Sequence, residues 1–107
     1  MKAEIKQIAA HYGSRHQTLK TLEEIGELTI ELSKLSVLNT TPLHLVSYGE
    51  IDNQLAKVMG EIADVEIMLA QIKYLYDCED AVETIKKQKV VRQIERIKAE
   101  NENRKTY

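Results

Sequence analysis

Apolar residues Ile5, Ile8, Ala9 and Tyr12 recur at i, i+3, i+4 and i+7, the spacing of one helix face, and predict a first helix over residues 3–12. Gly13 follows as a C-terminal stop. A second stripe, Leu19, Leu22, Ile25, Leu28, Leu32 and Leu35, predicts a helix over about 15–35, a length supported by strong helix formers and the lack of proline. Between 36 and 49 the periodicity breaks at Asn39, Thr40, Thr41, Pro42, Ser47 and Gly49, so a loop is expected there, with one short turn near 43–46. A third helix over about 51–76 is apolar on nearly all sides between Ile62 and Ile72, as a helix central to a bundle or buried between subunits is. Asp80 and Glu83 fit a capping box that opens a fourth helix. Its Val82, Ile85, Val90 or Val91, Ile94 and Ile97 are expected to face the core, with fraying after about Ala99 and a disordered polar tail over 100–107. The pattern predicts an all-α fold, a small bundle of about four helices with the long third helix buried.

Composition adds bounds to this picture. A chain of 107 residues with 43% hydrophobic content fits one domain spanning 1–107, and a core this small favours a homo-oligomer, a dimer or tetramer. One cysteine, Cys78, forms no intramolecular disulfide, and the N-terminus lacks a signal-peptide pattern, so a cytoplasmic location is expected. No apolar run approaches the roughly 20 residues needed to span a bilayer, which argues against a membrane partner. Net charge is −2, which argues against a general nucleic-acid binder, but residues 23–80 carry −9 and residues 81–107 carry +4. By itself this asymmetry reads as two solvated faces of opposite sign.

The carboxylates change that reading. Helical spacing makes Glu24 and Glu27 neighbours, with Glu31 one turn on and Glu23 alongside, and Glu61 and Asp64 repeat the three-residue interval on the third helix. Glu61 and Asp64 stand inside a nearly continuous apolar run, where an unpaired carboxylate costs several kcal/mol unless a cation or hydrogen bonds compensate it. Lys57, one turn from Glu61, is a possible structural partner for one of them. If the second and third helices pack antiparallel, Glu24, Glu27, Glu61 and Asp64 converge into a cage suited to a hard cation, chiefly Mg²⁺ and secondarily Mn²⁺. A di-iron centre needs Glu-x-x-His pairs, and His11, His16 and His44 follow Ile8, Gly13 and Thr41 instead. No phosphate-binding glycine loop of the P-loop type is present.

Glu24-Ile-Gly-Glu27 and Glu61-Ile-Ala-Asp64, with their flanks Glu23 to Lys34 and Glu61 to Lys73 and with His11-Tyr12-Gly13 followed by Gln17, resemble the MazG-like all-α nucleoside triphosphate pyrophosphohydrolases, whose signature is E-x-x-E on one helix and E-x-x-D on the next. The resemblance covers roughly residues 9–98 and is nearest the short phage and Gram-positive bacterial type. It implies a Mg-dependent enzyme that cleaves an NTP or dNTP between the α and β phosphates to give the monophosphate and pyrophosphate. Metal ligands are then Glu24, Glu27, Glu61 and Asp64, Glu24 or Glu27 deprotonates the attacking water, and Glu23 or Glu31 gives outer support. Glu27 and Glu61 are separated by 33 residues, at the long end for the family, and the extra length falls in the 36–49 loop, where base recognition is expected to vary.

Lys89, Arg92 and Arg96 align at i, i+3 and i+7 on the last helix, where the family often places cations that meet the nucleotide phosphates, with Lys34 as a further candidate. The same stripe also reads as an ordinary basic face pairing with Glu95 or with the acidic helices. Met59 and Met68 read as core filler, and His44, Tyr12 and Tyr48 as packing residues or platforms for a base. The alternative to an enzyme is a noncatalytic helical module, in which acidic stripe and basic tail pair between subunits or with a partner.

Overall fold

The computed structural model describes residues 1–105 and contains three α-helices, α1 (Lys2–Thr40), α2 (Tyr48–Leu75) and α3 (Glu79–Lys105), with one 3-10 turn at Leu43–Leu45. The chain divides into two compact units, Met1–Tyr76 and the segment from Asp77 onward.

The helix stop expected at Gly13 is borne out as a non-helical break, across which two helical segments are joined in α1. Gly13 adopts φ 83° and ψ 169°, a conformation that suits a residue without Cβ, and the helix resumes beyond it. Two of the four expected helices thus meet at this break and are named together as α1. The expected 36–49 loop also shrinks, to 41–47. Thr40 Oγ1 donates to the carbonyls of Ser36 and Val37 at 3.1 Å, and Thr41 Oγ1 donates to that of Val37 at 2.7 Å. Hydroxyls that read as loop signals thus bond back onto the same helix, which runs past Leu35. Pro42 ends it, with Thr41 extended at φ −79° and ψ 139°, as a residue before proline prefers. Ser47 then caps α2: its hydroxyl accepts from the Glu50 N–H at 3.2 Å and its own N–H donates to the Glu50 carboxylate at 3.3 Å.

Cross-links run from Thr18 to Tyr76, Gln17 to Gln71 and Glu31 to Gln54, so α1 and α2 form an antiparallel hairpin. The inward stripe of α1 runs through Ala9, Gln17, Thr21 and Glu24, and that of α2 through Gln54, Val58, Val65, Met68 and Gln71, all buried. This corrects the expected core. The leucine stripe is divided: Leu28 and Leu35 are half-buried, while Leu19 and Leu22 are more than 60% exposed and Ile25 and Leu32 are also exposed. Expected to be buried, α2 is only partly so, because one partner helix covers one face and leaves Ile62, Ile67 and Leu69 about two-fifths accessible.

In the second unit α3 begins at Glu79, and the Val82 N–H donates to the Cys78 carbonyl at 2.9 Å. Asp80 therefore lies inside the first turn and is not its cap. Fourteen of the 27 residues of α3 are charged, mostly Glu, Lys and Arg, which are good helix formers, and the helix continues to Lys105 where fraying after Ala99 was expected. The same density of charge leaves few apolar residues. Ile85, Val90, Val91, Ile94 and Ile97 are about half exposed, which corrects their expected place in a core. Of the tail expected to be disordered, residues 106 and 107 lie outside the described residues. Among those described, no helix is long and apolar enough to cross a membrane.

Candidate metal centre

Antiparallel register sets the middle of α1 against the middle of α2, and three of the four expected ligands meet there. Oxygens of Glu24, Glu61 and Asp64 lie within 4.8 Å of one another. Glu24 is buried, Glu61 half-buried and Asp64 exposed, so the cluster is walled on one side and open to solvent on the other. The exposure of Asp64 corrects its expected desolvation: the apolar run around it does not close over its carboxylate.

Each buried carboxylate has an oxygen without a partner. Lys20 Nζ stands 3.4 Å from Glu24 Oε1, while Glu24 Oε2 and Glu61 Oε2 are buried and accept no hydrogen bond. Buried charged oxygens are seldom left so, because desolvation is repaid only by a donor or a cation. Lys57 does not fill the role considered for it; its charge acts instead on Glu31.

Glu27 is exposed one turn beyond Glu24 and feels the charges of the cluster. Its carboxyl titrates above the ordinary 4.5, first because of the Glu24 charge, then through a hydrogen bond with Glu24, desolvation, and the charges of Glu61 and Glu23. Glu61 is also raised, first by desolvation and then by Asp64, Glu24 and Glu31, against a hydrogen bond with Glu27 that lowers it. Acids this close repel one another and draw positive charge. An all-oxygen donor set with two orphaned acceptors fits a hard divalent ion.

The other expected residues separate into groups. Glu31 is engaged: Gln54 Nε2 donates to its carboxylate at 2.6 Å and to its main-chain carbonyl at 3.0 Å, and Lys34 pairs with it at 3.4 Å. Glu23 pairs with Lys20 at 3.4 Å on the surface. Lys89, Arg92 and Arg96 are exposed on α3, in the second unit. Sequence reasoning missed Gln17, Gln54 and Gln71, which are buried, and Lys20, which bridges Glu23 and Glu24. A signal was available: Gln54, Val58, Glu61, Val65 and Met68 keep strict three- and four-residue spacing once polar residues are admitted to the stripe.

No family model, curated protein or solved structure matches the chain. The specific MazG-like nucleotide pyrophosphohydrolase identity is therefore corrected to a resemblance of two short motifs. Paired carboxylates at helical spacing answer to cation chemistry, and an antiparallel helix pair reaches that arrangement whatever its family.

Proposed function

We propose that Glu24, Glu27, Glu61 and Asp64 hold Mg²⁺, with Mn²⁺ as a substitute, and that the protein hydrolyses a nucleoside triphosphate between its α and β phosphates. The observation that carries the reading is the pair of buried, unpartnered oxygens, Glu24 Oε2 and Glu61 Oε2, in a cluster whose oxygens lie within 4.8 Å. When bound, the cation supplies charge neutralisation for the phosphates and acidifies water. Glu24 is fixed by burial and by Lys20, which suits a ligand. Glu27 is exposed and held above the usual carboxylate range, which suits the base that takes the proton of the attacking water. Lys34, exposed on α1 in the same hairpin, is a candidate cation for the phosphates. The resemblance of the two acidic motifs to those of the MazG-like enzymes supports a nucleotide as the substrate.

Exposed Leu19, Leu22, Ile62 and Leu69 support assembly into a dimer or tetramer, since contiguous apolar surface marks interfaces. The single thiol, Cys78, suits the cytoplasm. The same exposed apolar residues favour a second reading, a noncatalytic helical module. Pyrophosphate release from a panel of NTPs and dNTPs, with Mg²⁺, Mn²⁺ or EDTA, separates the two. Metal-dependent turnover is expected, and none on any nucleotide would leave the interaction module standing. Light scattering at micromolar concentration should give a multiple of the 12.3 kDa chain, and a monomer would remove the assembly.

A further inference from the structure

We propose that a cavity of about 510 Å³ beside the carboxylates receives the base of the nucleotide, and that the buried Gln17–Gln71 amide pair selects a base carrying a carbonyl oxygen. This inference rests on the nucleotide reading above. Tyr12, Gln17, Lys20, Met68 and Gln71 are among the residues that line the cavity, all of them within the α1–α2 hairpin. Lys20 belongs to both places, since it lines the cavity and reaches Glu24 at 3.4 Å, and Met68 lies one turn beyond Asp64. A ligand with its phosphates at the carboxylates would therefore have its base within reach of the cavity.

The chemistry of the walls is that of a recognition pocket, largely apolar with a few oriented polar groups. Tyr12 is half exposed and stacks on His16, with ring centroids 4.8 Å apart and planes at 18°, so it offers a flat aromatic wall. Gln17 and Gln71 are 3% and 1% exposed, and Gln17 Nε2 donates to Gln71 Oε1 at 2.7 Å. His16 Nδ1 lies 2.6 Å from Gln17 Oε1 and fixes which way that amide faces. Gln71 Nε2 then donates to the Met68 sulfur at 3.6 Å, a weak acceptor for a fully buried amide. A carbonyl oxygen is the stronger partner. Uracil, thymine, cytosine and guanine all carry one, and adenine does not.

Two measurements on the full chain test this. In the first, kcat/KM with Mg²⁺ is compared for ATP, GTP, CTP and UTP in the natural protein, in a Gln17→Met, Gln71→Met double variant and in Tyr12→Ala. The natural protein should disfavour ATP by at least about tenfold, and the double variant should lose that preference, because both members of the buried pair are replaced together. Tyr12→Ala, at an exposed position, should raise KM for every nucleotide. In the second, the side-chain amide resonances of Gln17 and Gln71 are followed while uridine, cytidine, guanosine or adenosine is added; these lack phosphates and do not depend on the carboxylates. Shifts with the first three and not with adenosine are expected. Equal use of ATP, or amide signals that ignore every nucleoside, would overturn the proposal while leaving the hydrolase reading intact. Absence of all turnover would remove the hydrolase reading, and the nucleoside titration would still decide the pocket. Should the double variant fail to fold, the natural protein's preference, Tyr12→Ala and the titration decide it.

Discussion

Two acidic layers cross the α1–α2 hairpin, and they treat the same kind of residue in opposite ways. In one, Glu31 receives the Gln54 amide on both its carboxylate and its main-chain carbonyl, with Lys34 on the outer side, and its carboxyl titrates below the ordinary range chiefly because of Gln54. In the other, Glu24 and Glu61 keep buried oxygens that nothing answers, and the Glu61 and Glu27 carboxyls titrate above that range. Glu31 lies seven positions, two turns of one helix, beyond Glu24. The first layer is complete as structure, whereas the second, in the function proposed above, is completed by a cation. A glutamate on an inward stripe is thus a site or a strut according to what stands opposite it.

The largest difference should come from removing one acid in each layer. Asp64→Asn keeps its shape and subtracts a charge, so Mg-dependent turnover should fall at least about a hundredfold, while the melting temperature in EDTA at pH 7 should rise because repulsion is relieved. Glu31→Gln should lower the melting temperature and leave most of the turnover. An Asp64→Asn protein that melts well below the natural one in EDTA would show the carboxylate to be a structural partner.

Metal and pH should separate the layers next. Glu27 and Glu61 bind protons more tightly when folded, so their contribution to stability is full below the unfolded value near 4.5 and is lost as pH rises through their raised values. Glu31 has the opposite sign: its contribution is present above the unfolded value and is lost as pH falls through its lowered one. Thermal melts in EDTA should therefore show Glu61→Gln flattening the loss of stability from mildly acidic to neutral pH, and Glu31→Gln flattening the loss in acid. Mg²⁺ at a hundred times its dissociation constant should add about 2.7 kcal/mol to the natural protein. No gain from Mg²⁺ would place both layers in the structural class.

How much of this was legible in the sequence follows from what the pattern of apolar residues encodes. The all-α class, the break at Gly13, the turn near Leu43 and the pairing of Glu24 with Glu61 and Asp64 were all readable from spacing. The inward face is not, because an apolar stripe marks either a core or an interface, and in a single chain Leu19 and Leu22 face outward while Gln17, Thr21 and Glu24 are buried. Local chemistry was misread in the other direction: Thr40 and Thr41 looked like loop residues yet bond their own helix, and Ser47 to Glu50 spelled a capping box that went unread. Partners opposite a residue depend on register between helices, so Gln54 beneath Glu31 had no signal in either helix alone.

Gln54 sets the next test, of moderate size. Replacing it with Leu removes a buried amide that serves two acceptors, and the change should cost about 1–3 kcal/mol, read as a lower urea midpoint with an unchanged slope. Mg²⁺ affinity should change little, because Glu24 and Glu61 gain and lose no partner. A large loss of Mg²⁺ binding with stability intact would move Gln54 and Glu31 into the metal site and erase the distinction between the layers.

The smallest effect is expected at Lys34, and it asks whether the Glu31 layer contributes to chemistry at all. Lys34 was expected to meet phosphate, yet its ammonium lies 3.4 Å from Glu31 at an exposed position one turn along the same helix. Exposed pairs at that spacing add little, since solvent screens them and both side chains must be ordered. Lys34→Ala should therefore leave the melting temperature nearly unchanged. If Lys34 only accompanies Glu31, KM for the triphosphate is also unchanged, and its response to added salt matches that of the natural protein. A KM that rises severalfold at low salt and converges with the natural value at high salt would instead assign Lys34 to the substrate's phosphates. Glu31 would then position a substrate-binding cation as well as brace the hairpin, and the strut would serve the neighbouring site.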